Sequence, residues 1–103
     1  MAEFRTVVRA SEIPPGEMKV VDLDGEAVVI ANVDGQYYAF SNTCSHEGGP
    51  LGEGELEDDR VTCPWHSTVF DVKTGAALEG VTEDPVPIYE VRVERDELLV
   101  RKP

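Results

Sequence analysis

The chain holds two cysteines and two histidines, and these four residues stand in two short clusters. The first cluster contains Cys44 and His46, the second contains Cys63 and His66, and 16 residues separate them. Thiolate sulfur and imidazole nitrogen are common ligands of transition metals. Because each cluster offers one of each, two loops can close on one inorganic centre. The pattern therefore predicts a metal site formed by Cys44, His46, Cys63 and His66.

Two kinds of centre suit this ligand set. Zinc accepts two thiolates and two imidazoles, but in zinc fingers the cysteines stand together and the histidines follow on a helix. The mixed order found here favours a centre with two distinguishable metal ions, because one residue of each loop can reach each ion. A 2Fe-2S cluster with two cysteines on one iron and two histidines on the other meets this demand. A zinc-stabilised interaction domain is the alternative, and iron and acid-labile sulfide analysis separates the two.

The sequence around the ligands, residues 44–51 and 63–67, resembles the two cluster-binding loops of Rieske proteins. The separation of the two loops is also similar to that of the family, and the similarity extends over nearly the whole chain. The resemblance implies one Rieske 2Fe-2S cluster. It also implies a role for each ligand: Cys44 and Cys63 on the inner, buried iron, and His46 and His66 on the outer iron.

The residues around the ligands indicate a low redox potential. High-potential Rieske proteins, which the motif resembles, carry an additional cysteine in each loop, and this chain has no cysteine left for such a disulfide. Those proteins also carry hydroxyl donors at the positions of Thr68 and Phe70. Phenylalanine has no hydroxyl, so at most one of these two hydrogen bonds is available. We expect a potential near the bottom of the Rieske range of roughly −150 to +300 mV.

The length of the chain limits what it can do alone. A chain of 103 residues predicts a single domain, 1–103. Rieske oxygenases also need a mononuclear iron held by two histidines and a carboxylate, and both histidines are already assigned to the cluster. The predicted function is therefore that of a one-electron carrier rather than an enzyme.

The resemblance to small Rieske ferredoxins implies the partners. Such ferredoxins pass electrons from an NAD(P)H-dependent flavoprotein reductase to a terminal oxygenase, as in aromatic-ring dioxygenase systems. The small Rieske subunit of an NADH-dependent nitrite reductase is the alternative function. Neighbouring genes would distinguish the two.

Charge and hydropathy suggest the environment of the protein. The chain has 21 acidic and 9 basic residues and a formal charge of −12, which disfavours binding to nucleic acid phosphates. No apolar run approaches the roughly 20 residues of a membrane span, and residues 1–6 do not resemble a signal peptide. We expect a soluble cytoplasmic protein. The acidic run over residues 53–59 is either a solvated face or a docking surface for a basic partner.

The remaining sequence predicts an all-β protein. Alternating or β-rich runs at 5–9, 18–23, 26–31, 36–40, 88–94 and 97–101 predict strands, and Asp24-Gly25 and Asp34-Gly35 predict tight hairpin turns. The last hairpin is expected to lie beside the first strand. Short strands are expected at 55–56, 60–62 and 69–72.

This pattern resembles the Rieske fold of stacked antiparallel sheets with an inserted cluster-binding subdomain. The boundaries predicted for this chain are a base formed by residues 1–42 and 85–103, and a cluster-binding subdomain at about 43–84.

Overall fold

The computed structural model describes residues 3–23, 25–43, 50–64, 68–80 and 85–101. Within these ranges the chain forms two three-residue 3-10 helices, Ala10–Glu12 and Leu51–Glu53. All other regular structure described is β. The strands are β1 (Arg5–Arg9), β2 (Met18–Leu23), β3 (Glu26–Val33), β4 (Gln36–Ser41), β5 (Glu55–Glu57), β6 (Arg60–Thr62), β7 (Val69–Asp71), β8 (Ala77–Glu79), β9 (Ile88–Glu94) and β10 (Glu97–Arg101).

The hairpin between β3 and β4 follows from its turn residues. Asp34 and Gly35 both have positive φ, 51° and 90°. This is the backbone of a primed turn, whose twist matches that of the two strands, and glycine adopts it without steric cost. The predicted Asp34-Gly35 turn is therefore confirmed. In the turn between β2 and β3, Gly25 also has a positive φ, and Asp24 lies outside the described residues.

The larger sheet has six strands in the order β1-β10-β9-β4-β3-β2. Its neighbouring strands are all antiparallel, and β9 joins the two halves by pairing with both β10 and β4. The predicted pairing of the last hairpin with the first strand is confirmed, since β1 pairs with β10. The two edge strands, β1 and β2, contact each other, so the sheet curls around an apolar interior. That interior contains Val8, Ile13, Val21, Leu23, Val28, Ile30, Ala39, Leu98 and Val100.

Strand β3 has both faces buried. Its residues 28–31 are Val-Val-Ile-Ala, and each is 0% exposed. Val28 and Ile30 point into the interior of the curled sheet, while Val29 and Ala31 belong to a second core on the other face. A continuous apolar run is what a strand between two cores requires. This strand is therefore the wall that both cores share.

The smaller sheet has four strands in the order β5-β6-β7-β8. Its inner face carries Leu56, Val61 and Phe70, which lie opposite one another in the strand register. This face packs on the larger sheet and closes the second core. The buried members of that core are Val29, Ala31, Phe40, Leu51, Val61, Cys63, Phe70, Val72 and Val86. The stacked antiparallel sheets confirm the predicted all-β fold, while the proposed boundaries of the subdomain stay a prediction.

Strand β8 and the 3-10 helix at Leu51–Glu53 were not expected from the sequence. Strand β8 has the sequence Ala-Leu-Glu, and these residues favour helices over strands. It pairs with β7, with Ala77 opposite Phe70. A contact with a neighbouring strand therefore overrides local preference here.

The described residues contain no helix with the length and apolar character of a membrane span.

The fold generates a prediction for alkaline pH. Tyr89 on β9 donates a hydrogen bond to Glu26 at 3.3 Å, and burial followed by the nearby Glu26 charge raises the pKa of Tyr89 above 10.0. A raised pKa contributes stability below the unfolded-state pKa, and this contribution is lost as pH rises through the folded-state pKa. Tyr89→Phe should therefore lose less free energy of unfolding than the wild type above about pH 10. Urea titrations at several pH values measure this, and equal alkaline slopes would contradict it.

Candidate metal centre

The structure describes one of the four predicted ligands and the frame that carries the others. Cys63 lies within the described residues, whereas Cys44, His46 and His66 lie outside them. The arrangement of the full ligand set therefore stays a prediction. What can be described is where each ligand loop leaves the sheets and where it returns.

Cys63 follows directly after β6 and is fully buried. It is part of the core between the two sheets, together with Val61 and Phe70. Val61 pairs with Phe70 across the neighbouring strands, so the thiol stands at the end of an apolar layer. A ligand in this position has its backbone held by the sheet and its side chain shielded from water. These are the properties expected of a ligand to an inner, buried metal ion.

The second ligand loop is closed at its base by one backbone hydrogen bond. The amide of Cys63 donates to the carbonyl of Thr68 at 2.8 Å, directly beyond the paired residues Thr62 and Val69. The antiparallel ladder of β6 and β7 therefore continues up to the ligand itself. Only four residues, 64–67, lie between these two anchored positions, and His66 is one of them. A loop this short restricts where its histidine can be.

The first ligand loop is closed by Asn42. Thr43 and Pro50 form an isolated antiparallel bridge, and the amide of Leu51 donates to the Asn42 carbonyl at 2.8 Å. The side chain of Asn42 adds a bond that the backbone cannot provide, because its Oδ1 accepts from the amide of Gly52 at 2.8 Å. Cys44 and His46 are therefore enclosed in a loop whose two ends are fastened together. The sequence analysis did not identify Asn42, since nothing local distinguishes it.

Both loops are fastened to the same core. Leu51, which follows the first loop, and Cys63, which opens the second, are each 0% exposed and belong to one group of packed side chains. Protein cores are close-packed and deform little. The separation of the two loop bases is thus set by side-chain packing, which is the condition for two loops to hold one rigid centre.

A buried polar atom tests whether a 2Fe-2S cluster fits this site. Thr68 is 0% exposed, and within the described part of the chain its Oγ1 has no hydrogen-bond partner. Leaving a buried hydroxyl unpaired costs about 1–3 kcal/mol. Cluster and cysteine sulfurs are hydrogen-bond acceptors, and such bonds tune the cluster. The unpaired Thr68 hydroxyl therefore fits a sulfur-rich group bound beside Cys63.

The side chain of Phe70 is buried, at 0% exposure, in the core that contains Cys63. It offers no hydroxyl, so of the residues Thr68 and Phe70 only Thr68 can donate a hydrogen bond from its side chain.

An open cleft of about 290 Å³ runs beside Cys63. It is lined by Glu53, Gly54, Glu55, Thr62, Cys63 and Pro64. Two carboxylates thus flank the approach to the buried ligand. The local potential favours positive charge on any molecule that approaches from this side.

The Asn42 contact generates a prediction. Asn42→Ala removes the acceptor of the Gly52 amide and should lower the free energy of unfolding by about 1–3 kcal/mol. The first loop should also loosen, so iron should be lost faster to a chelator, measured from the decay of visible absorbance.

Asn32→Ala is the matched control. Asn32 is 2% exposed and its side chain bonds the Ile13 carbonyl and the Gly35 amide, away from the ligand loops. This variant should lose stability without faster loss of iron. Equal rates of iron loss in the two variants would contradict the role given to Asn42.

Comparison with known proteins identifies the family. A family model described as the Rieske [2Fe-2S] domain matches residues 3–90. The 3-phenylpropionate/cinnamic acid dioxygenase ferredoxin subunit of Shigella boydii serotype 4 (strain Sb227) is 37% identical over 94 residues. That alignment covers 90% of this chain and 88% of the relative. The chain is also 30% identical over 96 residues to Apoptosis-inducing factor 3 of Mus musculus, but spans only 16% of its length.

Solved structures agree with the sequence relatives. The ferredoxin of carbazole 1,9a-dioxygenase from Nocardioides aromaticivorans IC177 superposes with a TM-score of 0.89 at 32% identity, covering 97% of this chain and 98% of that one. A chain from the complex of reduced oxygenase and oxidized ferredoxin in carbazole 1,9a-dioxygenase also gives a TM-score of 0.89. It is 33% identical, and the match covers 94% of this chain and 91% of that one.

These findings confirm the predicted family, the 2Fe-2S cluster and the role as an electron carrier rather than an enzyme. The predicted zinc alternative has no support among them. The chain belongs to the Rieske [2Fe-2S] family and is an electron-transfer ferredoxin that carries one Rieske 2Fe-2S cluster.

Proposed function

We propose that the protein passes single electrons from an NAD(P)H-dependent flavoprotein reductase to a terminal oxygenase, as a soluble component of the cytoplasm. One observation carries this proposal. The alignment with a dioxygenase ferredoxin subunit covers nearly the whole of both chains, so it compares one small electron carrier with another. A solved structure of a similar ferredoxin together with its oxygenase supports the acceptor. The reductase is the donor that the family resemblance implies.

We propose Cys44 and Cys63 as the ligands of the inner iron and His46 and His66 as those of the outer iron. The burial of Cys63 and the short loop that follows it support this assignment. When bound, the cluster supplies the reversible uptake of one electron. The imidazoles of His46 and His66 would then stand between the cluster and a docked partner. Residues 43–84 would form the cluster-binding subdomain on a base of residues 1–42 and 85–103.

We expect the potential to be low for a Rieske centre. Neutral imidazoles place less negative charge on the outer iron than thiolates would, which raises the potential above that of four-cysteine ferredoxins. The buried Phe70 ring provides no hydroxyl near Cys63, and the two cysteines cannot also form a disulfide between the loops. The protein should therefore remain at the low end of the Rieske range.

The charge distribution supports a basic partner. Residues 43–84 contain ten acidic and two basic residues, while the rest of the chain contains eleven acidic and seven basic residues. In the smaller sheet, the register puts Glu57 opposite Arg60 and Arg60 opposite Asp71, so these side chains share the outer face with Glu55. The negative charge is therefore concentrated in the half that carries the ligands. Such an asymmetry orients a basic partner toward that half during encounter.

Anaerobic electron transfer tests the proposed acceptor. The chemically reduced protein, mixed with the oxidised oxygenase component of carbazole 1,9a-dioxygenase, should lose its reduced-cluster EPR signal as the oxygenase becomes reduced. The rate should decrease as salt is added, because exposed charges are screened beyond about 8 Å at 0.15 M salt.

Two charge variants serve as a matched pair for that experiment. Glu57→Gln, on the outer face of the smaller sheet, should reduce the rate of electron transfer and its salt dependence. Glu17→Gln removes an exposed carboxylate directly before β2 in the larger sheet, and it should leave both quantities unchanged. A reduced protein that transfers no electron to terminal oxygenases would contradict the proposed acceptor. A rate independent of salt would contradict the electrostatic contribution alone.

The ligand assignment predicts the effect of His66→Cys. A third thiolate adds negative charge to the cluster, so the midpoint potential should fall by on the order of 100 mV or more while the pigment is retained. Thr6→Cys, at an exposed position of β1, adds a thiol away from the site and should not change the potential. Potentiometric titration followed by EPR measures both. An unchanged or higher potential in His66→Cys would rule out His66 as a ligand of the redox-active iron.

A further inference from the structure

Thr68 is held against the second ligand loop on one side and covered on the other. Its carbonyl accepts from the Cys63 amide at 2.8 Å, which ties its backbone to a cluster ligand. Thr68 is 0% exposed, while Leu78 and Glu79 at the end of β8 are exposed. Something must therefore separate the hydroxyl from water.

Gly80, directly after β8, provides that cover. A Cβ atom placed on Gly80 would lie 2.6 Å from Thr68 Cα, 2.6 Å from Thr68 Oγ1 and 2.8 Å from Thr68 Cβ. Real side chains do not approach so closely, so the space that a side chain would occupy at position 80 is filled by Thr68. Gly80 itself is exposed. Gly80 is therefore one of the described residues that lie between Thr68 and solvent.

The backbone of Gly80 makes this close approach possible. Its φ is +123°, a conformation that residues with a Cβ rarely adopt. Two independent requirements, the positive φ and the contact with Thr68, therefore converge on the same glycine. A side chain here would push the end of β8 away from Thr68 and admit water to the hydroxyl.

We propose that Gly80 is a positioning residue for the Thr68 hydroxyl and thereby helps to set the redox potential. Because no side chain stands at position 80, the chain closes on Thr68 and excludes water. The hydroxyl is then left to donate toward the cluster side. This inference rests on the ferredoxin function given above.

The physical reason is the cost of an unpaired donor. A buried hydroxyl without an acceptor is unfavourable, and in the part of the chain that the structure describes Thr68 Oγ1 has none. If water were admitted, it would compete for this donor. With water excluded, a hydrogen bond to sulfur becomes stronger as negative charge accumulates on reduction, because the surroundings have a low dielectric constant. Stabilising the reduced state in this way raises the potential.

The variant Gly80→Ala tests the proposal. It should shift the reduction equilibrium about tenfold toward the oxidised state, which corresponds to about 59 mV for one electron. Gly35→Ala is the matched control, since Gly35 also has a positive φ of 90° but nothing lies within 4 Å of the position of a Cβ. The control should unfold more easily yet keep the wild-type potential. A Gly80→Ala protein with the wild-type potential would overturn the proposal.

Variants at Thr68 separate a positioning role from general disruption. Thr68→Ala should lower the redox potential about as much as Gly80→Ala does. Thr68→Ser keeps the hydroxyl, so its potential should be close to that of the wild type. In the Thr68→Ala background, adding Gly80→Ala should change the potential no further. If Gly80→Ala does not fold, the potentials of Thr68→Ser and Thr68→Ala carry the test, because these two variants leave Gly80 in place. The proposal would be overturned if the potential shifts of Thr68→Ala and Gly80→Ala added up in the double variant. It would also be overturned if Thr68→Ser and Thr68→Ala lowered the potential equally.

The outcomes also distinguish this inference from the function on which it rests. A wild-type protein without the optical and EPR signature of a Rieske cluster would contradict the function itself. A wild-type protein with that signature, whose potential does not respond to Gly80→Ala, would contradict only the role of Gly80.

Discussion

The site depends on one constraint: the two ligand loops must start from a common, close-packed core. Leu51 and Cys63 are both fully buried in the layer between the two sheets, and each lies next to a loop base. A core of this kind transmits displacement rather than absorbing it, because it contains few voids. The relative position of the two loop bases is therefore determined by apolar packing.

The two sheets have different structural roles. The interior of the curled six-stranded sheet is a core of its own, and it contains neither Cys63 nor Thr68. The smaller sheet has strands of only three residues, which would contribute little stability alone. It is stabilised by packing on β3, the wall that both cores share. The anchors of the two ligand loops are thus held by the rest of the described structure.

Hydrogen bonds at the loop bases complete this arrangement. Asn42 fastens the first loop through its backbone and its side chain, and the bond from Cys63 to Thr68 fastens the second. The carboxylates concentrated in the same half of the chain favour a basic partner near the site. The same end of the molecule thus combines a rigid frame, a shielded cysteine and a charge that orients a partner, which is what a repeated one-electron exchange requires.

The sequence by itself determined the family, the cofactor and most strands. Ligand types and spacing are local, as are the alternation of β9 and the Asp34-Gly35 turn, so these could be predicted without contacts between distant residues. The remaining features, strand β8 and the contacts of Asn42 and Gly80, were decided only by the tertiary structure. Strand β8 exists because it pairs with β7, and the contacts of Asn42 with Gly52 and of Gly80 with Thr68 join residues about ten apart. Such contacts arise from how elements pack, and no local pattern in the chain encodes them.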